Sequence, residues 1–203
     1  MKTFKQCQEI EAQTWCLKDP KQRRDKAIRE FIRYPQMIKQ MGLNYLDTSE
    51  MVVWDIGAGA VGGVSQLLNC RQALCIDSLV SEYRKYFACT NYEGIRAEEL
   101  AERLSSPDLI IITNALDHFE NPVKFLEDLN KYAKYSCFFA HLHCIDNAYS
   151  HKHEAHAFNV NPAMMKEKLT NWECVWNNDY QNDGLVYGWL KQPAFAQLFR
   201  KVC

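Results

Sequence analysis

The sequence predicts an α/β fold built on a doubly wound, mostly parallel sheet, and three observations carry that expectation. From Met51 onward, short apolar runs alternate with helix-patterned segments. The first run closes on a glycine-rich turn, "MVVWDIGAGAVGGV", and the last two runs have no helix between them. Alternation builds parallel β-α-β units whose crossovers cover both faces of the sheet. Successive strands joined only by a loop usually pair antiparallel. A chain of 203 residues is long enough for one full core and short for two.

Taken in order, residues 1–50 read as a helical cap over a domain formed by residues 51–203. In "DKAIREFIRYPQMIKQMGL", Ile28, Phe31, Ile32, Ile38 and Met41 recur at helical spacing, and Gly42 is the stop. Pro35 should kink or divide that segment. "MVVWDI" is the first strand and "VGGVSQLLN" the helix after it; "ALCID", then "SLVSEYRKYF", repeat the pair, and "PDLIIIT" is a strongly apolar strand. Pro122 opens the amphipathic helix "NPVKFLEDLNKYAK", with Val123, Leu126, Leu129 and Ala133 on one face. "SCFFAHLH" is a further strand, and "ECVWNNDY" and "AFAQLFRKV" form the closing antiparallel pair. Trp172, Trp176, Tyr180, Tyr187 and Trp189 read as strand core, because strands favour aromatic residues.

Charge and cysteine content bound the partners. With 24 basic and 25 acidic residues, net −1, no overall field draws the chain to nucleic acid or to an anionic membrane. Neither is expected as a partner. The nine cysteines include no CxxC pair, which reads as free thiols in a reducing compartment. "MKTFKQCQEI" has no apolar leader core and no 18-residue apolar run follows, so a cytoplasmic protein, monomer or homodimer, is expected.

Asp55, Gly57, Gly59 and Gly62 form D-x-G-x-G-x-x-G at a strand-to-helix turn. Glycines there let backbone approach a ligand without Cβ clashes, and a following helix would direct its first amides at the site. Asp77 ends the next strand 22 residues beyond Asp55, the separation at which an acid meets ribose hydroxyls. Two ligands compete for such a loop, a dinucleotide and S-adenosylmethionine. Asp55 would repel a pyrophosphate and attract the α-ammonium of an amino-acid moiety, directly or through water. Charge favours S-adenosylmethionine.

With these residues in place the sequence resembles the class I S-adenosylmethionine-dependent methyltransferases from about Trp54 to the C-terminus. "DIGAGAVGG", with Asp55, Gly57, Ala58 and Gly59, resembles the first family motif; "CIDSL", with Asp77 and Ser78, resembles the second, where the acid holds the ribose. "AEEL", with Glu98, occupies the adenine-contact position, and "PDLIIITNALDHFENP" resembles the fourth motif, where Asn114 would line the cofactor pocket. More narrowly, "IDSLVSEYRKYF", "NALDHFENP" and "HAFNV" resemble a bacterial subgroup with NALDH and His-aromatic-Asn motifs. The resemblance implies a Rossmann-like sheet of seven strands with an antiparallel C-terminal hairpin. It also implies methyl transfer to a small-molecule or sugar-like acceptor. "KYAKYSC" stands where the family often has a KPGG-type turn, and no NPPY or DPPY follows the fourth strand, which argues against adenine or glutamine amide nitrogen as acceptor.

A hydroxyl acceptor needs a general base, and histidine is the commonest choice. His118 is placed for that role, with Asp117 beside it as a substrate ligand or base. A second group, "HLHCIDNAYSHKHEAHAFNV", follows the fifth main strand. There His156 as an alternative base, with Asn159 and His153, is assigned to the substrate side. His151, His153 and His156 with Asp117 or His118 could make a metal site. Their loop lacks the rigid spacing of a helix, and no metal is expected. His141 and His143 share one sheet face and read as packed. Trp15 or Tyr34 could form an aromatic lid, though no spacing supports it. Two rivals stand beside O-methylation: a non-catalytic S-adenosylmethionine-binding module with a protein partner, and an NAD-type oxidoreductase, which the missing YxxxK pair disfavours.

Overall fold

The computed structural model describes residues 3–103, 107–144, 160–179, 186–187 and 192–202. Eight strands form one sheet: β1 (Val52–Ile56), β2 (Gln72–Ile76), β3 (Tyr92–Glu93), β4 (Leu109–Thr113), β5 (Phe138–Cys144), β6 (Trp172–Asp179), β7 (Val186–Tyr187) and β8 (Gln192–Lys201). The order along the main path is β3-β2-β1-β4-β5-β8-β6, with β7 paired to β8 off that path. β1 to β5 are parallel, and β8 runs antiparallel between β5 and β6. The expected closing pair is therefore present. The strand order reverses between β1 and β4, the place where such sheets open a crevice at their carboxyl ends.

Alternation along the strands loads both faces. Trp54, Ile56, Ile110, Ile112, Phe139 and Phe199 pack with Phe125, Leu126 and Leu129 of α4 (Pro122–Tyr132) and Met165 of α5 (Pro162–Lys168). Val53, Leu109, Ile111, Ala140, Leu142 and Ala196 face the other way. They meet Tyr34, Met37 and Met41 at the end of α2 (Pro20–Gln40), preceded by α1 (Phe4–Trp15). Asn121 and Asn161 cap α4 and α5 with side-chain oxygens that accept from Lys124 N and Met164 N.

Four local expectations need correction. α2 runs unbroken through Pro35. Its buried face is Tyr34, Met37 and Gln40, while Ile28, Phe31 and Ile32 are exposed. After the glycine loop there is only a 3-10 turn at Val64–Leu67, because Gly62 and Gly63 both take positive φ and just 15 residues (57–71) separate β1 from β2. "SLVSEYRKYF" holds a single α-helical turn, α3 (Val80–Tyr83), and the two-residue β3 had no pattern to announce it.

Candidate functional site

A cavity of about 330 Å³ opens at the carboxyl ends of β1, β2, β4 and β5. Its floor includes Asp55, Gly57, Ala58, Gly59, Gly63, Asp77, Ser78, Asn114 and Ala115; Glu98, Ile95 and Phe119 line one end. Its roof is α1 and α2, which supply Phe4, Gln8, Glu11, Trp15, Lys26, Glu30, Arg33, Tyr34 and Met37. Trp15 and Tyr34, which no spacing singled out, both line it. The whole falls in the size range of small-molecule sites.

Two carboxylates dominate the floor. Asp55 is buried, and its Oδ2 accepts from Ser65 N at 2.8 Å, so it ties the glycine loop back onto β1. Burial pushes its pKa up to about 7 despite hydrogen bonds from Ser65 and Val64. Asp77 accepts from Gly59 N and Leu79 N, each at 2.9 Å. Burial raises it to about 6, and Glu11 adds to the rise. Gly57 N and Ala58 N both donate to Ile76 O, at 2.8 and 3.4 Å. The loop's amides are thus largely spent within the protein. Trp15 lies over Gly59, where an added Cβ would stand 3.4 Å from the indole.

At the nucleus of the opposite wall, Asn114 takes φ +50, a left-handed conformation unusual for a residue with a side chain. Its amide donates to Leu142 O at 2.7 Å and its Oδ1 accepts from Cys144 N at 3.0 Å, which locks the ends of β4 and β5 together. Glu98 Oε1 accepts from Asn121 N at 3.1 Å and holds the start of α4 beside the cavity. Ser78 Oγ donates to Gln8 Oε1 at 2.8 Å, joining the floor to α1.

His118 faces the cavity, and Asp117 lies behind the wall, fully buried. Nδ1 of His118 is 3.9 Å from Glu11 Oε2, and Nε2 is 3.8 Å from Asp117 Oδ1. Asp117 Oδ1 is also 3.8 Å from His143 Nδ1. His141 and His143 are buried with their rings stacked at 5.6 Å, as their shared strand face predicted. Burial, then His143, hold His141 well below its ordinary pKa. Glu11 is a site residue that sequence reasoning missed, since nothing in "FKQCQEIEAQTW" distinguishes it from an exposed helix acid. His153, His156 and Asn159 lie outside the described residues, as does His151. Among the described residues no group of His, Cys, Asp and Glu is arranged to hold a metal, and no helix is long and apolar enough to cross a membrane.

Solved structures share this architecture. The N-methyltransferase NodS from Bradyrhizobium japonicum, in complex with S-adenosyl-L-homocysteine, superposes with TM-score 0.63 at 14% identity, covering 94% of this chain and 96% of that one. The chain paired with the Haloferax volcanii Trm112 methyltransferase activator superposes with TM-score 0.66 at 13% identity, covering 95% and 98%. The protein has the class I methyltransferase fold. The [4+2]-cyclase SpnF has it too, with TM-score 0.58 at 10% identity over 83% of this chain and 79% of that one. At these identities the likeness carries the fold and leaves the reaction to the site. No protein-family model and no curated protein matches the sequence.

Proposed function

We propose that the chain is an S-adenosylmethionine-dependent methyltransferase acting on a hydroxyl of a small-molecule or sugar-like acceptor. One observation carries the reading: two carboxylates, the buried Asp55 and the half-buried Asp77, face a cavity whose loop amides are for the most part already donated within the protein. A pyrophosphate needs free amides, a helix N-terminus or cations. Here it would meet a 3-10 turn and two acids, which disfavours the dinucleotide rival. A ligand with an ammonium, a sulfonium and ribose hydroxyls suits those acids. When bound, S-adenosylmethionine supplies an electrophilic methyl group.

The chain's own residues divide the remaining work. Asp77 and Ser78 hold the ribose, and Glu98, Ile95 and Phe119 border the base. Asn114, fixed by its bond to Cys144 N, shapes the amino-acid end. His118 accepts the acceptor's hydroxyl proton at Nδ1, the nitrogen turned toward Glu11 in the cavity, while buried Asp117 on the Nε2 side orients the ring. α1 and α2 close the site from above and exclude water. Asp117 thus acts through His118, and the roles of His153, His156 and Asn159 stay with the segment after β5.

Calorimetric titration with S-adenosylmethionine, S-adenosylhomocysteine and NADH tests this directly. Micromolar binding of the first two, weakened about tenfold or more in Asp77→Ala and absent for NADH, is expected. Binding of NADH alone would overturn it.

A further inference from the structure

The outward face of α2 departs from what its periodicity promises. Ile28, Phe31 and Ile32 recur at helical spacing, the pattern of a buried stripe, yet they are 49%, 43% and 59% exposed. Nine residues at about 100° each set Ile28 on the side of the helix opposite Met37, which lines the cavity. α2 therefore has two working faces. The inner one roofs the site, and the outer one holds three large apolar side chains in water. Single exposed apolar residues are ordinary, but three together on one ridge mark an interaction surface.

The charges on that face are of one sign. The exposed charged residues of α2, Lys21, Arg24, Arg29 and Lys39, are all basic, while its two acids, Asp25 and Glu30, are half-buried. None of the four cations enters an ion pair among the described residues. The net charge of −1 for the whole chain hides this, because α2 alone carries seven basic residues against two acidic ones. From Lys21 to Lys39 the helix runs about 27 Å. A cationic ridge with apolar side chains at its middle has the make-up of helices that lie in a lipid interface. A helix ridge is convex, and a fluid bilayer moulds to it, offering phosphates along its length and acyl chains to its middle. A second copy fits badly, since four cations would meet four. Three apolar side chains also fall far short of the roughly 800 Å² per partner that a stable dimer buries.

We infer that the outer face of α2 docks the protein onto an anionic lipid surface, with Ile28, Phe31 and Ile32 entering the acyl boundary and Lys21, Arg24, Arg29 and Lys39 meeting lipid phosphates. The helix lies on the bilayer and is not apolar enough to cross it. Its inner face stays on the cavity, which puts the site one helix diameter, about 10 Å, from lipid. Docking is independent of the reaction that the cavity carries out.

Sedimentation of the full chain with vesicles tests this, using mixed phosphatidylglycerol and phosphatidylcholine against phosphatidylcholine alone. Expected is binding to the anionic vesicles only, falling as salt rises toward about 1 M, where the screening length shrinks to about 3 Å. Phe31→Ser should weaken binding about tenfold or more. Arg24→Gln and Arg29→Gln should each weaken it roughly fivefold. Phe31 also meets the Tyr34 ring at 5.6 Å, so Ile32→Ser, the most exposed of the three, repeats the apolar test without that contact. An unchanged Tm in these variants reports that the fold is intact. No binding to the anionic vesicles, or binding that ignores both the apolar and the charge variants, would overturn the inference. Capture of soluble polyglutamate in place of vesicles would overturn it too, and would give the face to an acidic polypeptide. A concentration-dependent dimer lost in Ile32→Ser, in place of vesicle binding, would give it to a second copy. Failure of the cofactor titration would leave this test untouched, so the two readings stand or fall separately.

Discussion

Gly63→Ala should be among the most damaging single-methyl additions this protein can receive. Gly63 has φ +63 and ψ −178, a region that only glycine occupies comfortably, where a side chain costs about 1–3 kcal/mol. The added Cβ would lie 2.5 Å from the Asp55 carboxyl carbon and 2.8 Å from Oδ1. Asp55 cannot step aside, because it is buried and ties Ser65 N and Val64 N to the strand end. Overpacking of that kind adds about 1–3 kcal/mol, for a total near 4 kcal/mol. For a chain of this size that lowers Tm by roughly 8–16 °C. Gly59→Ala is the control: φ is +65, but the nearest atom to its Cβ is 3.4 Å away, so about 1–2 kcal/mol of backbone strain is all it should cost. Urea unfolding of the ligand-free protein gives both differences. In an Asp55→Ala background, Gly63→Ala should cost only its backbone share. A Gly63→Ala loss no larger than that of Gly59→Ala, or an unchanged loss in the Asp55→Ala background, would refute the assignment of Asp55 as the clashing group.

Asn114→Ala should lose about 2–3 kcal/mol of stability in urea, from the lost hydrogen bond between Cys144 N and Asn114 Oδ1 plus left-handed strain, while Asn114→Gly should recover the strain portion. Asp55 binds its proton more tightly folded than unfolded, so its contribution favours folding below pH 4 and is lost as pH rises through about 7. From pH 4 to 8, Asp55→Asn should therefore gain on wild type by up to about 4 kcal/mol, at about 1.4 kcal/mol per pH unit of separation; a pH-independent difference between the two unfolding curves would contradict this. The buried Lys201 ammonium donates to Leu129 O and Asn130 O at the end of α4, and Lys201→Met should cost about 1–3 kcal/mol in the same assay by removing both bonds, Leu129 O keeping only the Ala133 amide as donor.

Much of the sheet was legible because β1, β4 and β5 are apolar runs too short for helices and flanked by turn residues. The floor of the site was legible for a related reason: a loop that must hug a strand end needs glycines at fixed places, and Asp55 and Asp77 close the strands on either side. The roof was not. Helical spacing singled out Ile28, Phe31 and Ile32, but α2 turns Lys26, Glu30 and Arg33 into the cavity and leaves those apolar side chains in solvent. A periodicity test assumes that buried faces are apolar, and a half-buried charged wall inverts it. Glu11 escaped for the same cause. The short 3-10 turn after the loop was mistaken for a helix because four apolar and polar residues at helical spacing do not reveal how little chain remains before β2.

β8 lies between β5 and β6, pairing Phe138 through Cys144 on one side and Trp172 through Asp179 on the other, yet it follows both in the chain. On the ribosome, β6 has no neighbour and β5 presents an open edge until β8 emerges. The 48 positions from Cys144 to Gln192 take roughly 2–10 s to add, ample time for an unpaired strand to find a wrong partner. The cavity borrows Cys144 from the end of β5, so the site matures only as the final strand slides home. Vectorial synthesis thus makes ligand binding a late event, since the β5 edge that carries Cys144 is completed only by the last strand to be made.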